Sequence, residues 1–239
     1  VKALLIAGTD TDAGKTVLIS ALAAYWLRYC QPRSLGLIKP LQTGSGDREL
    51  YARLFQLEQT AAELNPLHFP DPLAPPIAAQ RAGRLIELDR AWQVFEQLRQ
   101  RKDFVLVEGL GGLGSPVTHE TTVADLAWDW HLPTVLVVPV KLGAIGQAVA
   151  NVALARHCHV HLTGIVLSCP QACTPEQIAD WAPADLVVSL TGIPVLGLIP
   201  HLNDPTDLEH LAQVASDLVL EQLLPLHLLH SVGPTSSPA

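Results

Sequence analysis

Positive charge is scarce in this chain. Lysine and arginine number 15 against 23 aspartates and glutamates, a formal net charge of −8. That balance argues against a nucleic-acid or anionic-membrane surface, each of which needs a basic face. Nucleotide binding stays open, because a phosphate site is a local arrangement of donors. Unbroken apolar runs of membrane-spanning length are missing as well. The charge-free stretch between Asp185 and Asp204 contains Gly192, Pro194, Gly197 and Pro200, which fits two short elements better than one long helix. Lys2-Ala3-Leu4 runs straight into an apolar strand without a signal-peptide layout, so the expected location is cytoplasmic. The four cysteines, Cys30, Cys158, Cys169 and Cys173, form no CxxC pair and are expected to stay reduced and packed. His157-Cys158-His159-Val160-His161 reads as a helix end running into a strand with surface imidazoles, not as a metal cluster. There is no internal repeat.

What is present is apolar substance, 49% of 239 residues, enough to bury a substantial core. Candidate strands are Lys2–Ala7, Leu35–Lys39, Phe104–Glu108, Thr134–Val140, Gly164–Ser168 and Val195–Ile199. Several are apolar on both faces, as parallel strands covered on each side must be. Candidate helices are Thr16–Cys30, Arg48–Gln56, Asp89–Arg101, Val123–Trp130, Ala144–His157, Pro175–Trp181 and Thr206–Leu223. The alternation predicts an α/β class: a doubly wound, mostly parallel sheet with helices on both faces. One domain over residues 1–230 is expected, with a disordered tail over 231–239. Pro- and Ala-rich Asp71–Gly83 is expected to be a surface loop.

In such sheets ligands sit at the carboxyl ends of strands. The first of these ends is Gly8-Thr9-Asp10-Thr11-Asp12-Ala13-Gly14-Lys15-Thr16. A strand precedes it and an apolar helix follows, which is the setting of a P-loop. Backbone N–H groups at the helix start point at an anion, Lys15 reaches the β- and γ-phosphates, and the Thr16 hydroxyl suits Mg²⁺. Thr9 stands where the first glycine of that pattern usually sits, with Gly8 one residue earlier. The fold expected is therefore P-loop nucleoside-triphosphate hydrolase-like.

Two further strand ends carry charge. Lys39-Pro40-Leu41-Gln42-Thr43-Gly44 places a lysine where a buried ammonium needs an anion beside it; a lysine snorkelling at the sheet rim is the plainer alternative. Glu108-Gly109-Leu110-Gly111-Gly112 places a carboxylate beside the phosphate loop, where a Walker-B-type group serves Mg²⁺. Its plainer alternative is an ordinary rim charge on a flexible loop.

Together these segments resemble the dethiobiotin synthetase family. The matches are Gly-Thr-Asp-Thr-x-x-Gly-Lys-Thr at 8–16, Lys-Pro-x-x-Thr-Gly at 39–44, Val-Glu-Gly-x-Gly-Gly at 107–112 and Val-Lys-Leu-Gly-x-Ile at 140–145. Four motifs in order, each at a strand end, cover the chain from residue 1 to about 205. The resemblance implies an ATP-dependent ligase of biotin synthesis that closes the ureido ring of dethiobiotin from 7,8-diaminononanoate and CO₂. It implies a carbamate, then a carbamic–phosphoric anhydride, as intermediates. Its catalytic residues here would be Lys39, Lys15 and Thr11. ATP would contact Asp12, Ala13, Gly14, Lys15, Thr16 and Val17, with Asp47, Glu108, Gly109, Leu110 and Gly111 beside the phosphates. Ser168, Cys169, Pro200, His201 and Leu202 would lie near the base. Thr16, Asp47 and Glu108 would hold Mg²⁺. Asp47 reads equally as the N-cap of the helix that begins at Arg48. The substrate would meet Thr11, Lys39, Thr43, Leu142, Gly143, Ala144, Ile145 and Gly146. The family's substrate lies at a homodimer interface, for which the apolar helix Ala144–Ala155 is the candidate.

The chain departs from the family pattern in two respects, at the base and at the substrate loop. Ser168-Cys169 stands where Asn-Asp is common, and His201 where an aromatic is common; both bear on preference for the base. Gly146-Gln147 stands where Asn-His is frequent, which bears on the substrate loop. Two other classes fit the phosphate loop. One is an ATPase switch of the chromosome-partitioning type, which usually has a second lysine early in the loop, where this chain has Thr9. The other is an amidase or ligase on another cofactor precursor, such as the corrinoid side-chain amidases.

Overall fold

The computed structural model describes residues 2–226; the tail expected to be disordered, 231–239, lies outside them. Among the described residues eight strands run in chain order: β1 Ala3–Gly8, β2 Leu35–Ile38, β3 Leu41–Thr43, β4 Leu67–Phe69, β5 Phe104–Gly112, β6 Thr134–Pro139, β7 Leu162–Ser168 and β8 Val195–Ile199. The helices are α1 Lys15–Tyr29, α2 Asp47–Leu54, α3 Ala61–Leu64, α4 Pro75–Arg81, α5 Leu88–Arg101, α6 Val123–Asp129, α7 Ala144–His157, α8 Pro175–Trp181, α9 Ala184–Thr191 and α10 Leu208–Ser216.

Six strands form one sheet in the order β2-β5-β1-β6-β7-β8, every pair parallel. Strand β1 shows why both faces are covered. Leu4 and Ile6 enter the core built with α1 and α10, whereas Ala3, Leu5 and Ala7 enter the core built with α5, α6 and α7. The two-residue period of a strand sends neighbours to opposite faces, so a run apolar throughout needs two helical layers. On the α1 side Trp26 is fully buried, stacks on Phe104 with ring centroids 5.4 Å apart, and donates its indole N–H to Arg33 O at 3.0 Å. The chain leaves β1 toward β2 and later crosses to β6 on the other side, so the loop after β1 sits where the strand order reverses.

The sheet and the fold class are as the sequence predicts. The segment between Asp185 and Asp204 is two short elements, the end of α9 and β8, and the His157–His161 run is the end of α7 leading to β7. Two expectations need correction. Asp71–Gly83 is not all loop, because α4 occupies Pro75–Arg81 with its prolines in the first turn. There the missing N–H costs nothing and the fixed φ already suits a helix. The helix expected over Thr206–Leu223 is shorter. Asp207 caps it by accepting from Glu209 N at 3.0 Å and His210 N at 3.1 Å, and Val219 N leaves for Leu196 O at 2.8 Å, breaking the helix before a short turn at Leu220–Gln222. The small parallel sheet β3-β4 went unanticipated, as did α3.

Candidate functional site

Register across three neighbouring strands builds the site. Ile38 of β2 lies opposite Val107 of β5, and Glu108 of β5 lies opposite Ile6 of β1. Lys39, one residue past β2, is therefore level with Glu108, and the loop after β1 rises beside both. Adjacent strands are only about 4.8 Å apart, so three separate segments deliver charge to one spot. Asn65 secures the β2 end, donating from Nδ2 to Lys39 O at 2.7 Å and to Leu67 O at 3.1 Å.

The phosphate loop turns through Asp12 at φ 56° and Gly14 at φ 96° before α1 begins. A side chain on Gly14 would be strained by that φ, and its Cβ would stand 2.3 Å from Ser168 Oγ. Ser168 thus packs directly against the start of α1, with Cys169 N bonded to Ile199 O at 2.9 Å and His201 Nδ1 3.0 Å from Pro170 O. Ser168, Cys169, Pro200, His201 and Leu202 accordingly form two adjacent strand-end loops on the far side of the phosphate loop from Lys39. Ala13 is buried and Val17 half-buried at the helix start.

On the Lys39 side of the phosphate loop a cavity of about 600 Å³ opens, lined by Thr11, Asp12, Gly14, Lys15, Thr16, Lys39, Thr43, Asp47, Glu108, Leu110 and Gly111 among others, while Ser168, Cys169, Pro200, His201 and Leu202 are not part of its lining. Both lysines face it. Gly109 sits behind, where an added Cβ would stand 3.2 Å from Ile6 O. Lys39 Nζ donates to Glu108 Oε1 at 3.1 Å and to Asp47 Oδ2. Lys15 Nζ donates to Asp10 O at 3.1 Å. Burial lowers the pKa of Lys15, partly offset by the Glu108 charge. Burial acts on Lys39 in the same direction, but the Glu108 and Asp47 carboxylates outweigh it and leave its pKa raised. The rim-lysine alternative does not hold, because Lys39 is buried against two carboxylates.

The Thr16 hydroxyl lies 3.0 Å from Asp47 Oδ1 and 3.0 Å from Glu108 Oε1. It has one proton for two carboxylate oxygens, so one of these contacts always lacks a hydrogen. Asp47 is not the cap of α2. Gly46 holds that place, and Asp47 is the first helical residue with its carboxylate turned to Thr16 and Lys39. The cap itself is made by Glu49, whose Oε2 accepts from Gly46 N at 2.9 Å. That bond, helped by Arg48, holds the Glu49 carboxyl down to about 2, from 4.5. A depressed carboxylate pKa favours the fold above about 4.5 and loses that contribution as pH falls toward 2. Carboxyl titration by NMR should find Glu49 with a midpoint near 2; a midpoint in the ordinary range means the cap does not form.

Sequence reasoning missed Tyr51, which is buried and donates its hydroxyl to Glu108 Oε2. Its signal was available: Asp47 and Tyr51 are one helical turn apart, hence on one face of α2. Burial first, and then the Glu108 charge, hold the phenol well above its ordinary pKa, so it stays a donor.

The loop Lys141–Gly146 is not part of the cavity wall. Lys141 Nζ meets Asp10 Oδ2 at 3.1 Å, and Thr9 Oγ1 donates to Gln147 Oε1 at 3.4 Å, so the loop leans on the phosphate loop from outside. Leu142 is 84% exposed, Gly143 caps α7 at φ 90°, and buried Ala144 begins the helix, with Ile145 and Gly146 in its first turn.

A family model described as an AAA domain matches residues 2–208. A protein of Gloeothece citriformis named ATP-dependent dethiobiotin synthetase is 57% identical over 94% of this chain and 99% of its own length. The chain belongs to the dethiobiotin synthetase family. A dethiobiotin synthetase of Synechocystis sp. is 50% identical over 93% of this chain and 94% of its own length. Among solved structures, the ParA family ATPase from Chlorobium tepidum covers 94% of the chain and is itself covered to 98%, at 12% identity and a TM-score of 0.60. The MinD cell division protein of Aquifex aeolicus matches at 13% identity, covering 99% of this chain and 100% of that one, with a TM-score of 0.54. At such identities the likeness is one of fold, whereas the synthetase relatives share sequence along nearly the whole chain. No helix among the described residues is long and apolar enough to cross a membrane.

Proposed function

We propose that this chain closes the ureido ring of dethiobiotin from 7,8-diaminononanoate, CO₂ and ATP, with Mg²⁺, as a cytoplasmic homodimer of one domain per chain. The observation that carries this reading is the meeting of Lys15 and Lys39 in one cavity with Thr16, Asp47 and Glu108. A carbamate and a triphosphate are both anions, and they react only where several cations share one point.

The residues fit a hard divalent cation. All three side chains offer oxygen, and the Thr16 hydroxyl has one proton for two carboxylate oxygens, a donor set that suits a hard cation. The Lys39 ammonium, held between Asp47 and Glu108, shows that this spot accepts positive charge. Thr16, Asp47 and Glu108 would hold Mg²⁺, which when bound neutralises charge on the β- and γ-phosphates.

The chain's own groups do the rest. The N–H groups from Asp12 to Val17 cradle the phosphates at the start of α1, and Lys15 swings from Asp10 O onto the terminal phosphoryl. One amine of the substrate adds to CO₂ and loses a proton, giving a carbamate. Thr11, Lys39 and Thr43 hold that carbamate in line with the γ-phosphoryl, which transfers to a carbamate oxygen with release of ADP. The second amine attacks the carbonyl carbon and loses a proton, phosphate leaves, and the ring closes. Leu142 to Gly146 lie outside this chain's own cavity, so their substrate contacts would be supplied across the dimer interface, with N–H groups at the start of α7 receiving the distal carboxylate. The Ser168-Cys169 and Pro200–Leu202 loops, pressed against Gly14, would border the base.

Phosphate release should require diaminononanoate and bicarbonate together. Steady hydrolysis of ATP without the diamine would instead place the chain with the ATPase switches whose fold it shares.

A further inference from the structure

Glu108 uses its two oxygens differently. Oε1 lies 3.0 Å from Thr16 Oγ1 and 3.1 Å from Lys39 Nζ, facing the cavity. Oε2 accepts from the Tyr51 hydroxyl. Both partners are buried to about the same degree, Glu108 and Tyr51 each 1% exposed. The last torsion of a glutamate is broad and roughly two-fold, so burial alone does not choose which oxygen points where. A fixed donor on one oxygen does. The Tyr51 ring cannot shift easily, since it lies in the α1-side core with Phe55 at a ring-centroid distance of 6.5 Å. Helix α2 therefore carries one carboxylate of the site, Asp47, and one turn later the donor that aims the other.

We propose that Tyr51 is a positioning residue for the divalent cation, tying Glu108 Oε2 so that Oε1 is presented to Thr16 and the phosphate loop. The proposal rests on the reading of Thr16, Asp47 and Glu108 as the cation's ligands. Phenylalanine keeps the ring and its packing and removes only the hydroxyl. Groups that orient a metal ligand typically matter by about tenfold or more in metal affinity.

The test measures Mn²⁺ affinity of the full chain by electron paramagnetic resonance in the presence of a non-hydrolysable ATP analogue, and affinity for the analogue itself with no divalent ion present. In Tyr51→Phe the Mn²⁺ dissociation constant should rise about tenfold while metal-free affinity for the analogue stays the same. Adding Tyr51→Phe to Glu108→Gln should change Mn²⁺ affinity no further. An unchanged Mn²⁺ affinity in Tyr51→Phe overturns the proposal. So does an equal weakening of both affinities, which marks a merely structural tyrosine. If Glu108→Gln by itself leaves Mn²⁺ affinity intact, the ligand reading fails first, and the two failures are thereby told apart. If Tyr51→Phe does not fold, a crystal structure of the wild-type chain with Mn²⁺ and the analogue decides. A Tyr51 hydroxyl still bonded to Glu108 Oε2, with Oε1 on the metal, supports the proposal, and a hydroxyl detached from Glu108 overturns it.

Discussion

Lys39→Gln should lower turnover by about a thousandfold, the scale of losing a charge-stabilising donor at a reacting centre, and leave ATP affinity nearly unchanged. The same variant should be less stable than the wild type in the absence of divalent cations. Lys39 is buried and offsets two carboxylates, one of them fully buried. Removing one partner of such a cluster leaves uncompensated charge and costs about 3 kcal/mol. Unlike a simple core defect, this loss should be partly reversed by millimolar Mg²⁺, because a cation can take over the charge that Lys39 neutralised. Thermal unfolding with and without Mg²⁺, beside isothermal titration with an ATP analogue, reads all three effects. Equal loss of turnover and nucleotide affinity would assign Lys39 to the nucleotide alone. A melting temperature equal to wild type in chelator would mean that the carboxylates are not uncompensated without it.

Gly14→Ala should abolish nucleotide binding and destabilise the chain by about 2–3 kcal/mol, a figure that combines left-handed backbone strain with a close contact. At φ 96° a Cβ is strained wherever it points, and here it points at Ser168 Oγ, 2.3 Å away. The two causes can be separated. Ser168→Ala in the Gly14→Ala background removes the hydroxyl but leaves Ser168's own Cβ position, 3.1 Å from the added atom, and the φ. Stability should therefore recover in part, while nucleotide binding does not, because the N–H groups of the loop stay misaimed. Denaturant unfolding and equilibrium binding of an ATP analogue give both readings. Wild-type affinity in Gly14→Ala would mean that phosphates are not cradled by this loop.

The phosphate loop and the main strands were legible because their signals are local. A strand, a glycine-bearing turn and a helix start occupy one continuous segment, and the β-branched and leucine runs of β5, β6 and β7 can be buried only between two layers. Element ends held where a cap or a proline marks them: α7 over Ala144–His157 and α8 over Pro175–Trp181 were read to the residue. Helix α4 is hidden in the Pro- and Ala-rich composition of Asp71–Gly83, although proline in a first turn begins a helix as readily as it ends one. Strands β3 and β4 have three residues each and pair across a long stretch of chain, so no periodicity could show them. Nothing local marks Glu108 as the partner of Tyr51, because only packing puts its hydroxyl there.

Each chemical group was therefore determined by the sequence itself: an anion cradle with Lys15 and Thr16, a lysine after one strand, a carboxylate on another, and an aspartate at a helix start. The tertiary structure alone decided that these groups meet. The strand order β2-β5-β1 brings segments far apart in the chain level with one another, and β-sheet register, being a pairing between distant residues, leaves no mark in any one of them.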